Sequence, residues 1–256
     1  MAAAAAAGAE INLGKGDGFS EERTKPKAIF TFGRFNPPTI GHKVLIDGLI
    51  VAGEDADKYV FVSSTQDNKK NPLTVEEKID ILSKQYPDRS FRLINTTVEN
   101  CRSPVQAIRK LLDLGYEQII FGVGSDRVED FTAMISALPN EVKTKITVVP
   151  IGEERENNND TNSLNASKMS ASKARKFALN GKNDLFSSAI KFGNVANANV
   201  EKTRNTIKAR LALSGSKRRA EGKGVLTEPT KLTKLRRGGY TRRKARRSRK
   251  SFRSHK

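Results

Sequence analysis

Short apolar runs alternate with amphipathic segments through residues 27–193 of this 256-residue chain. Each run is nearly continuous and rich in Val, Ile and Phe, as is typical of strands that are buried on both faces of a parallel sheet. The runs are Ala28–Phe32, Tyr59–Val62, Phe91–Ile94, Gln118–Val123 and Ile146–Ile151.

Helical patterns separate these runs. Thr74 and Glu77 have the spacing of a capping box, and Ser103-Pro104 opens a helix that ends at Gly115. Because right-handed crossovers join such units, the order predicts an α/β fold with a doubly wound, five-stranded parallel Rossmann-like sheet. Two short amphipathic helices are predicted after the fifth strand, over Met169–Leu179 and Asp184–Phe192.

The charge of the chain is concentrated near its C-terminal end. Residues 202–256 contain 21 Lys and Arg against two acidic residues, so they account for the whole formal net charge of +19. Residues 1–26 show little periodicity and are rich in Ala and Gly. We therefore predict a disordered lead-in over residues 1–26, one domain over 27–193, and a basic, largely disordered tail over 194–256.

Composition excludes several classes of protein. No stretch approaches about 18 apolar residues, so we expect neither a membrane-spanning helix nor a membrane partner. The single cysteine, Cys101, excludes an internal disulfide and a multi-cysteine metal site. His42 and His255 are the two histidines, too few for a histidine-rich metal site. A cytoplasmic or nuclear setting fits best.

The segment GRFNPPTIGH, residues 33–42, follows the first run and opens the first helix. In a doubly wound sheet this loop lies at the carboxyl edge, where ligands bind. Gly33 lets the backbone turn close to a ligand, and Gly41 is expected to leave room for a phosphate. The N–H groups at the start of the helix favour an anion, which His42 would reach from the first turn. The alternative is a tight turn with a buried structural histidine.

This segment resembles the (H/T)xGH signature of the nucleotidylyltransferase superfamily, which includes nicotinamide mononucleotide adenylyltransferases, pantetheine-phosphate adenylyltransferases and cytidylyltransferases. Thr39, Gly41 and His42 occupy the motif positions. The resemblance implies that His42 hydrogen-bonds the α/β-phosphate region and that Thr39 helps to hold the triphosphate. The other loop residues expected at the nucleotide are Gly33, Arg34 and Phe35.

A second segment, MSASKAR at residues 169–175, is similar to the ISSTxxR segment of the superfamily. Ser170, Ser172 and Arg175 match, and two hydroxyls with a cation one turn later can hold phosphates from the opposite side. Lys173 either points at phosphate or is solvated. The alternative is an ordinary Ser-capped basic helix.

A third segment, FGVGSDR at residues 121–127, is similar to the G-x-D segment that lines the nucleotide pocket. It implies nucleotide-binding roles for Gly124 and Asp126; the alternative is a glycine turn with Ser125 or Asp126 as a helix cap. This segment and residues 71–74 resemble phage and large-virus members of the superfamily. The resemblance extends over about residues 27–192.

The implied reaction is NTP + R-phosphate → R-ppN + pyrophosphate, with Mg²⁺ as the expected cofactor. The attacking phosphate is already largely anionic at neutral pH, so no general base is needed. ATP with nicotinamide mononucleotide is favoured, because the first motif looks most like that branch. The alternatives are a cytidylyltransferase that uses CTP and a phospho-alcohol, and a non-catalytic nucleic-acid-binding or virion protein that keeps the fold.

The basic region 202–256 is expected to pair with nucleic-acid phosphates in a salt-dependent way, or to serve as a nuclear localisation signal. It resembles the tails of large-DNA-virus proteins, which points to a virion or genome-associated setting. The choice between RNA and DNA, and the oligomeric state, stay open.

Overall fold

The computed structural model describes residues 16–19, 24–152, 165–166 and 169–221, with side chains up to Leu213. Its centre is a five-stranded sheet in the order β3-β2-β1-β4-β5, and every neighbouring pair is parallel. The predicted α/β fold with a doubly wound parallel sheet is confirmed. The strands are β1 Lys27–Gly33, β2 Ala56–Val62, β3 Arg92–Asn95, β4 Gln118–Gly124 and β5 Ile146–Ile151.

Helices connect the strands and continue after the sheet. The capping box predicted at α2 is present: Glu77 N–H donates to Thr74 Oγ1, and Thr74 N–H donates to Glu77 Oε2. Ser103 caps α3 by accepting from Gln106 N–H. The helices are α1 Ile40–Ala52, α2 Val75–Gln85, α3 Pro104–Asp113, α4 Val128–Ser136, α5 Asn140–Lys143, α6 Ala171–Leu179, α7 Asn183–Ile190 and α8 Asn197–Glu221.

The winding of the chain reverses at β1, which pairs with β2 on one side and with β4 on the other. Phe30 of β1 stacks on Phe121 of β4 with ring centroids 4.4 Å apart, so the sheet is closely packed at this reversal. In open α/β sheets the crevice for ligands lies beyond the carboxyl ends of the strands at such a switch point. The fold therefore directs attention to the loops that follow β1 and β4.

Residues 16–19, which fall within the predicted lead-in, contact the domain. Asp17 accepts a hydrogen bond from Leu93 N–H at 2.7 Å, and its own N–H donates to Leu93 O at 2.8 Å. The Phe19 ring packs on Tyr59 and Phe61. These contacts cover the outer edge of β3, an edge strand whose backbone groups would otherwise face solvent. Residues 1–15 lie outside the described part of the chain.

Within the tail predicted from residue 194 onward, the first part of α8 packs on the domain. Val195, Val200 and Ile207 are buried in one apolar cluster with Phe186 of α7. These apolar positions are widely spaced among polar residues, so the helix lacks a strong periodic signal. Residues 222–256, which hold most of the basic charge, lie outside the described residues.

None of the described helices is both long enough and apolar enough to cross a membrane.

Candidate functional site

A cleft of about 750 Å³ lies at the carboxyl ends of β1 and β4. Three segments predicted from the sequence meet there: the loop after β1 with the start of α1, the turn after β4, and the start of α6. Of the predicted site residues, only Thr39 and Lys173 are not part of the lining. The predicted residues that do line the cleft are Gly33, Arg34, Phe35, Gly41, His42, Gly124, Asp126, Ser170, Ser172 and Arg175.

His42 lies in the first turn of α1 and is oriented by Thr39. Its Nδ1 accepts a hydrogen bond from Thr39 N–H at 3.0 Å, and Thr39 Oγ1 is 2.9 Å from the same nitrogen. Because a ring nitrogen that accepts an N–H hydrogen bond carries no proton, the proton of the neutral ring is on Nε2. In the neutral ring Nε2–H is therefore the donor, and His42 is one of the residues that line the cleft.

Thr39 lies behind His42 and is not part of the lining of the cleft. Its side chain is fully buried, with the hydroxyl facing the His42 ring. The hydroxyl therefore orients the histidine, and the expected contact of Thr39 with the triphosphate stays a prediction.

Phe35 supports His42 from beneath the glycine turn. The two rings are 5.0 Å apart, and Phe35 is only 1% exposed. Its φ of 44° lies in the left-handed region, which a bulky residue adopts only where the surroundings require it. A Cβ on Gly33 would lie 2.6 Å from the Phe35 ring. Glycine is thus needed at position 33, because a side chain there would clash with the Phe35 ring.

Gly41 lines the cleft, but the space that a side chain would fill is occupied by protein. A Cβ at this position would lie 2.0 Å from Met169 O and 3.1 Å from Ala166 O. Gly41 is therefore required for close packing of the start of α1 on the backbone that leads into α6, and its expected role in leaving room for a phosphate stays a prediction.

Arg175 extends from α6 toward the loop after β1. Its Nη1 donates to Asn36 O at 2.6 Å, and its Nη2 donates to Ser172 Oγ at 3.0 Å. Burial lowers the pKa of Arg175, and the nearby charge of Arg34 lowers it further. An anion placed between these two guanidinium groups would offset the repulsion that disfavours the charge of Arg175. This arrangement suits a polyphosphate.

Ser170 caps α6, because its Oγ accepts from Lys173 N–H at 3.2 Å. The Ser-capped helix, which was the alternative interpretation of this segment, is therefore present. The capping residue also lines the cleft. Asp126 follows β4 in a single 3-10 turn, Ser125–Arg127, and is exposed at the other end of the cleft.

Among the lining residues that sequence reasoning missed, three connect the first motif with a neighbouring loop. Lys70 and Asn71, in the loop between β2 and α2, also line the cleft. Asn36 is 1% exposed and joins this loop to the first motif: its Nδ2 donates to Leu73 O, and its Oδ1 accepts from Leu73 N–H, both at 3.0 Å. The available signals were the position of Asn36 inside the motif and the polar run at residues 66–71.

Asp67 shapes the part of the loop that carries Lys70. It accepts hydrogen bonds from the backbone N–H groups of Lys69 and Lys70, at 2.7 and 2.6 Å. These bonds, together with those from Asn71, lower the pKa of Asp67 to about 2. The Asp67 carboxylate is therefore charged at neutral pH and holds the turn closed.

A parallel doubly wound sheet with a cleft at its switch point is the arrangement found in many nucleotide-binding α/β proteins, and here the cleft is lined by a helix start and by Arg34, Arg127 and Arg175. Residues 30–177, more than half of the chain, match the sequence model of the family described as Cytidylyltransferase-like, and the chain belongs to that family. The predicted membership of the nucleotidylyltransferase superfamily is confirmed at this level.

Several solved structures are similar in fold. A Vibrio parahaemolyticus protein assigned as a nicotinate-nucleotide adenylyltransferase has a TM-score of 0.47 and 16% identity, covering 69% of this chain and 97% of its own. The Plasmodium falciparum nicotinic acid mononucleotide adenylyltransferase complexed with NaAD has a TM-score of 0.46 and 14% identity, covering 68% of this chain and 93% of its own. No curated protein sequence matches the chain significantly.

Proposed function

We propose that this protein transfers a nucleoside monophosphate from a nucleoside triphosphate to a phosphorylated acceptor and releases pyrophosphate. The observation that carries the proposal is the convergence of His42, Arg34 and Arg175 on one cleft at the switch point of the sheet. ATP and nicotinamide mononucleotide are the favoured substrates, because the first motif is most similar to that branch of the superfamily.

The reaction needs alignment more than proton transfer. An acceptor phosphate oxygen forms a bond to the α-phosphorus while the bond from that phosphorus to the bridging oxygen of the β-phosphate breaks. No proton has to move, since the attacking oxygen is already anionic at neutral pH. The protein must hold two anions that repel each other in line, and it must stabilise the charge that develops on the leaving group.

The side chains of the cleft suit these tasks. His42 Nε2–H donates to the α/β-phosphate region, where charge builds up in the transition state. Arg175 and Arg34 bind the β/γ end of the triphosphate, and Ser172 Oγ holds the Arg175 fork from one side. Because Arg175 is also anchored on Asn36 O, its guanidinium is oriented before any substrate binds.

The residues of the cleft are compatible with Mg²⁺ bound mainly through substrate phosphates. Asp126 is the carboxylate found among the described lining residues, and the described part of the chain has no cluster of three or more metal-ligating side chains. Mg²⁺ in nucleotide sites commonly uses one or two carboxylates together with phosphate oxygens. Asp126 would hold the ion, which when bound neutralises charge on the triphosphate.

Pyrophosphate release across a panel of acceptors tests the proposal. The full chain, with Mg²⁺, is offered ATP or CTP together with nicotinamide mononucleotide, phosphopantetheine or a phospho-alcohol. Release with ATP and nicotinamide mononucleotide is the expected result. Release only with CTP and a phospho-alcohol would change the substrates but keep the reaction class. No release in any combination, with salt-sensitive nucleic-acid binding, would contradict catalysis.

Replacement of His42 tests the mechanism. We expect His42→Ala to lower kcat by about 10²–10³-fold, the usual cost of removing one transition-state donor, with the fold intact. Steady-state pyrophosphate release and the circular dichroism spectrum measure the two effects. His255→Ala, which changes the other histidine of the chain, is the matched control. Full turnover by His42→Ala would remove this residue from the mechanism.

A further inference from the structure

The loop of residues 63–74, between β2 and α2, forms one wall of the cleft. Lys70 and Asn71 of this loop line the same space as His42 and Arg175. Asn71 is buried, whereas Lys70 is exposed and brings another positive charge to the opening. The placement of this wall therefore affects where the phosphate of an acceptor would lie relative to the phosphates of a nucleotide.

Contacts from inside the domain hold the loop at its start and in its middle. Lys78 of α2, which is fully buried, donates through Nζ to Ser63 O. Asp67 closes the turn that carries Lys70. At the other end, the two hydrogen bonds between Asn36 and Leu73 fix the loop to the first motif.

The last turn of the loop has a further contact, and it comes from α8. Arg210 Nη1 donates to Pro72 O at 2.6 Å. The same guanidinium makes a two-pronged ion pair with Glu77, at 2.6 and 2.9 Å. Glu77 in turn accepts from Thr74 N–H, directly after Pro72 and Leu73. One arginine thus holds both the end of the loop and the cap of α2.

The arginine of this contact lies outside the region that the family shares, whereas its partners lie inside it. The match to the family ends at residue 177, whereas Arg210 lies 33 positions further along the chain. Both partners are partly buried, with side-chain exposures of 28% for Arg210 and 35% for Glu77. A forked Arg–carboxylate pair of this kind fixes geometry as well as supplying binding energy.

We propose that Arg210 is a positioning residue of the cleft: from α8 it fixes the end of the loop 63–74, and thereby sets where Lys70 meets the phosphate of the acceptor. The kinetic part of this inference rests on the proposed function. Small displacements of a positioning group cost large factors in rate, so the effect on turnover exceeds the effect on stability.

Amide hydrogen exchange of the full chain tests the structural part. Arg210→Met should speed exchange at residues 69–71 and 73 by about tenfold, the factor expected for losing one such contact, while the amides of β1 stay protected. Arg204→Met is the matched control, because Arg204 lies on the same helix but pairs only with Glu201 and Asn205 in the contacts observed. Unchanged exchange in Arg210→Met would overturn the proposal.

A double-mutant cycle tests the kinetic part. With the acceptor and nucleotide that the wild type uses, Arg210→Met and Lys70→Met should each lower kcat/KM for the acceptor by about tenfold, and the double variant should be little worse than either alone. A purely structural role would give additive losses, or no loss from Arg210→Met, and either result would overturn the proposal. Arg204→Met should retain wild-type kinetics.

Failure of the two proposals can be told apart. If the wild type turns over no acceptor in the panel, the proposed function fails, and hydrogen exchange alone then decides whether Arg210 orders the loop. If the wild type is active and exchange rises in Arg210→Met without any change in kcat/KM, the reaction stands and the positioning role is wrong.

Discussion

At the scale of single residues, the candidate site depends on side chains that hold other side chains in place. Thr39 sets which nitrogen of His42 carries the proton, and Phe35 supports the ring from below. Asn36 ties together the two loops that border the cleft and accepts from Arg175 through its carbonyl. The donors of the cleft are therefore held in place before a nucleotide arrives, which is the condition for strong transition-state stabilisation.

Thr39→Val tests the role of the hydroxyl. Valine keeps the shape but loses Oγ1, so the ring keeps only the backbone N–H of residue 39 as a partner at Nδ1. We expect kcat to fall by about tenfold, the cost of losing roughly one hydrogen bond to an oriented catalytic group. Steady-state kinetics measure it, and Thr39→Ser, which retains a hydroxyl, should stay within about twofold of the wild type. Equal turnover by Thr39→Val and the wild type would argue against this orientation.

The sequence identified the candidate phosphate-binding residues better than the residues that support them. His42 and Arg175 were predictable because a histidine in a glycine-rich loop and an arginine after a Ser pair indicate phosphate chemistry. For Thr39 and Gly41, the structure shows protein contacts that the sequence did not indicate. Their partners are the His42 ring and Met169 O, and the contact with Met169 joins positions far apart in sequence. Pattern alone does not indicate which atom a side chain will face.

At the scale of elements, the loop 63–74 depends on a buried lysine. Lys78 is fully buried, with its ammonium on backbone carbonyls rather than on a carboxylate. Burial lowers its pKa to about 8, although Glu76 and Glu77 act in the opposite direction. The position of the loop therefore depends partly on the Lys78 ammonium, whose charged form is destabilised by burial.

This lysine predicts a pH dependence of stability. Its pKa in the folded state is below the value of about 10.4 expected in the unfolded chain, so from about pH 8 to 10 the unfolded state binds more protons. The free energy of unfolding contributed by Lys78 must then rise with pH over that window. Between about pH 7.5 and 9.5, we expect the free energy of unfolding of the wild type to rise by about 2 kcal/mol relative to that of Lys78→Met.

Urea unfolding of both chains at several pH values measures this difference. Lys84→Met removes a partly exposed lysine from the same helix, where it pairs with Asp80, and so separates the effect of burial from that of net charge. A difference between the wild type and Lys78→Met that stays constant over the window would mean that the ammonium is not destabilised by burial.

Elements were predicted in proportion to the strength of their local signals. α2 and α3 were visible because each combines a cap with apolar periodicity, at Thr74 and Glu77 and at Ser103. α8 was missed because its buried residues Val200 and Ile207 are seven positions apart in a polar sequence. Its place is determined by packing on α6 and α7 and by Arg210, none of which leaves a periodic pattern.

At the scale of the whole molecule, α8 moves the end of the folded part beyond the neutral region of the chain. The sheet and its winding followed from the alternation of apolar runs and helices, since right-handed crossovers leave few arrangements of five parallel strands. The boundary of the domain did not follow, because the basic composition from residue 202 onward obscured a helix that contributes Ile207 to the core.

Two truncations test this boundary. Ending the chain after residue 221 should leave the Tm within a few degrees of the wild type. It should also remove most of the salt-sensitive nucleic-acid binding that is expected of the basic region. Of the Lys and Arg side chains in residues 202–256, 17 lie between residues 217 and 256, and this truncation keeps only Lys217, Arg218 and Arg219 of those. Ending it after residue 193 should lower the Tm sharply, since Val195, Val200 and Ile207 would be lost from the core. Thermal unfolding and filter binding at two salt concentrations measure the outcomes, and equal Tm values for the two truncations would contradict the role assigned to α8.

The contact of Gly41 with Met169 O has a consequence for motion. The start of α1 and the backbone that enters α6 are already packed against each other at this glycine. Steric repulsion prevents these two sides from approaching further, so a closing motion around a bound molecule would have to come from elsewhere, in the loop carrying Lys70 or in the turn carrying Asp126. If the protein acts as proposed, these two segments would then adapt to the shape of the acceptor, while His42 and Arg175 keep their relative placement.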